Sequence, residues 1–344
     1  MIQRKYYKTV RVIVDSDGGG TPFYIENVDT VPGYFTLKTY GSPTYTPNLN
    51  YRIDNGEWFE YDVVNRPRIE VPVGSKIYLK GNNTNGFNQN SSGNYMFQFY
   101  SSKTTTNTYC KYNIGGYITS LLALDNFHLI NHIPDYSFIN LFKDDSSGQK
   151  MLLISVESLI TSNITSVGQY SFSSCFYCCK NLVTAPTFEN VTSVGKEGFN
   201  TCFLACTSLV TAPTFDKIII GEAGSFDSCF SGCTSLVTAP TFENVTSVET
   251  DCFRGCFQIC TSLVTTPNFI NITSVGAFAF NSCFNSCTSL RNIIAPSPST
   301  WNTQFFVDWV NGIPSTGTFY KKKGLEIPTG VNGIPEGWTV VEED

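Results

Sequence analysis

Ten of the thirteen cysteines in this 344-residue chain fall in pairs four residues apart: Cys175 with Cys179, Cys202 with Cys206, Cys229 with Cys233, Cys256 with Cys260 and Cys283 with Cys287. Two such pairs on adjacent segments would supply the four thiolates of a zinc site. The only histidines, His128 and His132, are also four apart, with Asp135 close by, and from residue 163 onward Asn-x-Thr acceptor motifs stand at Asn163, Asn190, Asn244 and Asn271. Each of these has a plainer reading. Every cysteine pair shares its spacing with two phenylalanines, whereas zinc prefers loops with tighter Cys-x-x-Cys spacing. The sequence therefore predicts buried thiols that pack as small hydrophobes in a ladder, with no metal and no cofactor. The bond geometry at that spacing is poor for a disulfide within a pair. The unpaired Cys110, Cys178 and Cys252 are expected to be buried too. The histidines lie among Leu129, Ile130 and Ile133, as packing or hydrogen-bonding side chains do. No nucleophile and carboxylate are recognisable around them, and Asp17-Gly-Gly-Gly20 lacks the lysine of a phosphate loop, so no enzyme is expected. The Asn-x-Thr motifs recur in multiples of 27 residues, which ties them to a repeat in which Asn bonds turn backbone.

That repeat organises the second half of the chain. Phe-x-x-Cys-Phe-x-x-Cys-x-x-Leu occurs five times in steps of 27. The phenylalanines are Phe172, Phe176, Phe199, Phe203, Phe226, Phe230, Phe253, Phe257, Phe280 and Phe284; the closing leucines are Leu182, Leu209, Leu236, Leu263 and Leu290. A fixed period of this size marks a stacked solenoid, because one short unit cannot bury its own apolar face. Positions i, i+3, i+4 and i+7 place the Phe and Cys residues on one face of a short helix. The Asn-Val-Thr-Ser-Val segment and the Leu-Val-Thr-Ala-Pro segment read as extended, giving strand, turn, helix, turn in each coil. The third repeat departs from this with Lys217-Ile-Ile-Ile-Gly221, as a contact site or drift would.

Before the repeats, short strands are expected at Thr9–Val14, Tyr34–Thr39, Asn50–Ile53, Trp58–Val63, Arg68–Val71, Lys76–Lys80 and Tyr95–Tyr100, separated by turn clusters. The expected architecture is a β-rich N-terminal sandwich of immunoglobulin-like size over 1–120 and a junction that caps the solenoid over 121–165. An α/β leucine-rich-repeat solenoid of five repeats over 166–296 and an aromatic C-terminal cap over 297–344 complete it. A net charge of −6 with only 15% charged residues argues against a nucleic-acid partner. The basic run Lys321 to Lys323 reads as a solvated turn. The N-terminus has no apolar core of signal-peptide length and no stretch approaches a membrane span, which predicts no secretory export and no membrane insertion.

The string Val191-Thr-Ser-Val-Gly195, with Phe199, Cys206-Thr-Ser-Leu209 and Pro213, resembles BspA-type leucine-rich repeats. A second copy runs from Ile272 to Gly276, with Phe280, Cys287 to Leu290 and Pro296. The flanks Tyr112 to Leu122, Asn126-Phe127 and Gly333 to Val340 resemble segments beside such repeats in proteins of gut Bacteroidales and their phages, including crAss-like phages. The resemblance implies adhesion or surface recognition and brings no catalytic residues. With no export signal, it favours a virion component assembled in the host cytoplasm that recognises a host glycan or protein, over a decoration protein bound to other virion proteins or a bacterial cell-surface adhesin. A homo-oligomer is compatible with either. The expected binding face comprises the threonine ladder Thr184, Thr211, Thr238 and Thr265 with Lys217 and Ile219.

Overall fold

A computed structural model describes residues 20–39, 47–87, 97–102, 110–144 and 152–344. The expected strand at Thr9–Val14 and the start of that at Tyr95 lie outside the described residues. The N-terminal strands are β1 (Phe23–Asn27), β2 (Gly33–Thr39), β3 (Asn50–Ile53), β4 (Phe59–Glu60), β5 (Ile69–Val71), β6 (Lys76–Lys80), β7 (Phe97–Ser102) and β8 (Lys111–Tyr117). After β9 (His132–Ile133), β10 (Leu152–Ile160) returns to this region. One open sheet has the order β10-β8-β1-β6-β3-β4 and a second the order β5-β2-β7. Sequence patterning finds most of these but passes over β1, β8 and β10, because β1 is short and polar-ended and β8 carries two glycines. The Tyr61 ring lies 5.9 Å from Phe35 on β2 and 6.2 Å from Tyr51 on β3, so it joins the cores beneath both sheets. Strand β10 pairs in parallel with β8 and leads directly into the repeats.

Each repeat contributes a two-residue strand: β11 (Ser166–Val167), β12 (Ser193–Val194), β13 (Ile220–Gly221), β14 (Ser247–Val248) and β15 (Ser274–Val275). These begin coils 1 to 5. They stack in parallel, the inward valines at 167, 194 and 248 buried.

The Phe and Cys segment that follows is not a helix, which corrects the expectation from its spacing. It is a run of consecutive tight turns. In coil 2, Cys202, Leu204 and Cys206 donate their backbone N–H three residues back, to Phe199, Thr201 and Phe203. The alternate residues Phe199, Thr201, Phe203 and Ala205 donate instead to Ser225, Asp227, Cys229 and Ser231 of coil 3. Every fourth residue has a positive φ, as at Glu197, Thr201 and Ala205. The true period is thus four, and a period of four places residues i, i+3, i+4 and i+7 on the same face as a helix would. Ser, Thr, Asn, Cys and Gly are weak helix formers. Glycine at three of the left-handed positions of the repeats, Gly224, Gly232 and Gly255, is the local signal for turns.

Inside the stack the phenylalanines form three columns. One runs Phe138, Phe172, Phe199, Phe226, Phe253, Phe280 and Phe306, with ring centroids 5.3 to 5.8 Å apart. A second runs Phe142, Phe176, Phe203, Phe230, Phe257 and Phe284 at 5.3 to 5.6 Å. The third, Phe188, Phe215, Phe242 and Phe269, sets its edges against the first column's faces, as in Phe188 with Phe199 at 4.8 Å and 67°. Offset and edge-on contacts of this kind add to the burial of each ring.

The stack extends beyond the five sequence repeats at both ends. Residues 132–144, expected to cap the solenoid, form a coil themselves: β9 pairs with β11, and Phe138, Asn140 and Phe142 donate to Ser171, Ser173 and Cys175. Its offset of 34 residues hides it from a search for 27. At the other end Phe280, Ser282 and Phe284 donate to Phe305, Val307 and Trp309, so the chain there makes one more turn run. Trp301 stacks on Phe306 at 3.7 Å, and Trp309 is fully buried. A parallel sheet of β16 (Asn292–Ile294), β17 (Thr318–Lys322) and β18 (Thr339–Glu343) completes this end. The basic run is a solvated turn only in part: Lys322 and Lys323 are exposed, with Lys323 in the turn after β17, but Lys321 lies on β17, is buried, donates to the Leu325 carbonyl at 3.0 Å and pairs with Glu342.

This architecture gives three expected outcomes. Far-UV circular dichroism of the purified chain will lack the paired minima of α-helix. In urea melts, Phe203→Ala will cost about 3–5 kcal/mol through the lost ring and the cavity it leaves. Gly232→Val will cost about 1–2 kcal/mol, because a β-branched side chain is strained at positive φ.

Candidate binding surface

The cysteines face the interior. All thirteen are buried thiols, Cys110, Cys178 and Cys252 included. The second of each pair donates across the coil boundary: Cys179 to the Phe142 carbonyl at 3.3 Å, Cys206 to Phe176 at 3.1 Å, Cys233 to Phe203 at 3.2 Å, Cys260 to Phe230 at 3.1 Å and Cys287 to Phe257 at 3.0 Å. Burial raises the pKa of these thiols, to about 12 for Cys252 and Cys287, so they stay protonated near neutrality. Among the described residues no group of three or more His, Cys, Asp or Glu is arranged to hold a metal ion. His132 bonds Ser166 through Nδ1 at 2.8 Å, and His128 sits edge-on to Phe127 and Tyr117.

The Asn-x-Thr asparagines also hold coils together. Asn163, Asn190, Asn244 and Asn271 donate from Nδ2 to the backbone carbonyls of Ile130, Ser162, Asp216 and Glu243 at 2.5 to 2.8 Å. Lys217 occupies this position in coil 3 and reaches the Asn190 Oδ1 at 2.6 Å.

The threonine ladder is continuous. Thr184, Thr211, Thr238 and Thr265 form parallel bridges from coil to coil and on to Asn292. Thr211 and Thr238 are exposed, while Thr184 and Thr265 are half-buried. Beside it runs a column the sequence reading missed, Val183, Val210, Val237 and Val264, with 38% to 49% of each side chain exposed. The Leu-Val-Thr triplet carried its signal: leucine is fully buried, so the next residue on an extended segment faces out. Lys217 is exposed, as are Ile219 at 56% and Ile220 at 52%. On the wall of turns, Tyr136 and Tyr170 stack at 5.2 Å and 10°, and Tyr170 donates to Glu197 Oε1 at 2.7 Å. Neither tyrosine was singled out by sequence, because the pair spans the irregular offset of the first coil. Among the described residues, no helix is long and apolar enough to cross a membrane.

Stacked coils with inward Phe and Cys ladders and outward Thr and Val ladders define a repeat solenoid, whose extended surface is a sum of equivalent rungs. Residues 153–285 and 225–308 match the family model described as BspA type Leucine rich repeat region, in 6 copies. Over this stretch the chain is similar to BspA-type leucine-rich repeats, which are typically adhesion and binding modules. No curated protein and no solved structure matches the chain.

The buried thiols set an alkaline limit on the fold. Their folded pKa values are raised, so their contribution is full below the unfolded thiol range near 8.5 and is lost as pH rises toward 12. Each unit of pH in that window removes up to about 1.4 kcal/mol per thiol. With a total stability of about 5–15 kcal/mol, the chain should unfold cooperatively within about two pH units above 9, as followed by tryptophan fluorescence. Under native conditions near pH 7 a thiol reagent should label none of the repeat cysteines.

Proposed function

We propose that this chain is a non-enzymatic adhesion protein that presents the Thr and Val ladders of its solenoid to a ligand. The observation that carries this reading is the exposed aliphatic column Val183, Val210, Val237 and Val264, held beside Thr184, Thr211, Thr238 and Thr265 at the coil spacing. Methyl and hydroxyl groups alternating on a rigid surface suit the mixed apolar and polar faces of a polysaccharide. Lys217 and Ile219 extend the candidate surface on the strand wall. The N-terminal sheets, read as a sandwich of immunoglobulin-like size, attach the chain to a larger assembly. The resemblance of its flanking segments to proteins of crAss-like phages supports a virion component that recognises the host surface.

The test is a pull-down of the full chain on Bacteroidales cells and on their extracted capsular glycans. Binding to both is expected, with a Val210→Glu, Val237→Glu variant at least tenfold weaker while its melting temperature is unchanged. Binding to phage particles alone would replace this reading with a structural decoration role, and release of sugar ends from the glycan would replace it with an enzyme.

A further inference from the structure

The parallel strand wall of the solenoid is interrupted at one step. β9, β11 and β12 form one sheet and β13, β14 and β15 another, and β12 does not pair with β13. At the other steps two backbone bonds recur on this wall. Thr192 donates to Thr165 and Gly195 to Val167; Thr246 donates to Ile219 and Glu249 to Gly221; Thr273 donates to Thr246 and Gly276 to Val248. The equivalent donors of coil 3, Ile219 and Glu222, make no such bonds to coil 2.

The sequence of coil 3 explains the break. Gly221 stands where Val167, Val194 and Val248 anchor the other strands, so this strand lacks its inward side chain. The space is taken by Cys252 of coil 4, whose Sγ lies 2.5 Å from where a Gly221 Cβ would be. Ile219 and Ile220 replace Thr and Ser and stand exposed, and the long side chain of Lys217 replaces the short asparagine tether. The opposite side stays closed: Glu197, Phe199, Thr201, Phe203 and Ala205 all donate to coil 3.

We propose that the step between coils 2 and 3 is a hinge, with the wall of turns as its pivot and the strand wall as the side that opens. In a stack stabilised by nearest-neighbour contacts, the step with the fewest cross-coil bonds is where sub-global opening concentrates. The two halves, one carrying the N-terminal sheets and the other the C-terminal sheet, then rotate against each other, and Ile219 and Ile220 lie on the lip.

Two measurements on the full chain test this. Hydrogen exchange should be at least tenfold faster at Ile219 to Glu222 than at Thr246 to Glu249 and Thr273 to Gly276. Spin-label pairs two coils apart then separate motion from a fixed gap, and the buried native thiols stay unlabelled. Ser193→Cys with Ser247→Cys spans the step, whereas His132→Cys with Ser193→Cys does not; the first pair should show the broader distance distribution. Equal protection at all three segments would overturn the hinge, and so would fast exchange accompanied by equally narrow distributions for both pairs.

Discussion

The alternation of backbone amides along the turn run is the constraint on which this solenoid depends. A buried N–H must have a partner. An α-helix would satisfy every donor within the coil and leave neighbouring coils joined by side chains alone. Here each second N–H bonds within its own turn and each intervening one crosses to the next coil, as with Cys202 to Phe199 and Phe203 to Cys229. The arrangement fixes the order and register of the coils, because a shift by one residue would exchange the two sets of donors.

Several features follow from that alternation. A turn every four residues needs positive φ at residues such as Thr201, Ala205 and Ile259, a conformation unfavourable for side chains with a Cβ and held in place by bonds to the coils on either side. Inward positions recur with a period of four, so Phe and Cys align into straight columns rather than drifting as they would on a helix. The second thiol of each pair then donates to a carbonyl of the preceding coil. The same stacking turns one outward Val or Thr into a column, and a periodic surface arises without further sequence information.

Where the alternation persists but the strand wall does not, the stack changes character. Coil 3 keeps every bond of the turn run but loses its strand pairing to coil 2, so rigidity and adaptability occupy opposite sides of one step. A stack built from identical rungs is stiff by construction. A single altered rung is an economical way to let such a surface accommodate a curved or irregular target.

The sequence by itself determined the solenoid, its 27-residue coil, the buried Phe, Cys and Leu positions and the role of the repeated asparagines, because each is a periodic property that survives without knowledge of distant contacts. It also marked coil 3 as different. It did not determine the conformation of the Phe and Cys segment, since periods of 3.6 and 4 place the same four residues together over so short a span. The extra coils at both ends were equally hidden: their offsets differ from 27, and only the columns of Phe138, Phe142 and Phe306 against the repeat phenylalanines reveal them. The exposed valines and the opened step were decided by the tertiary structure alone, because which face of an extended segment meets water, and which strand finds a partner, depend on the neighbouring coil rather than on the residues that form it.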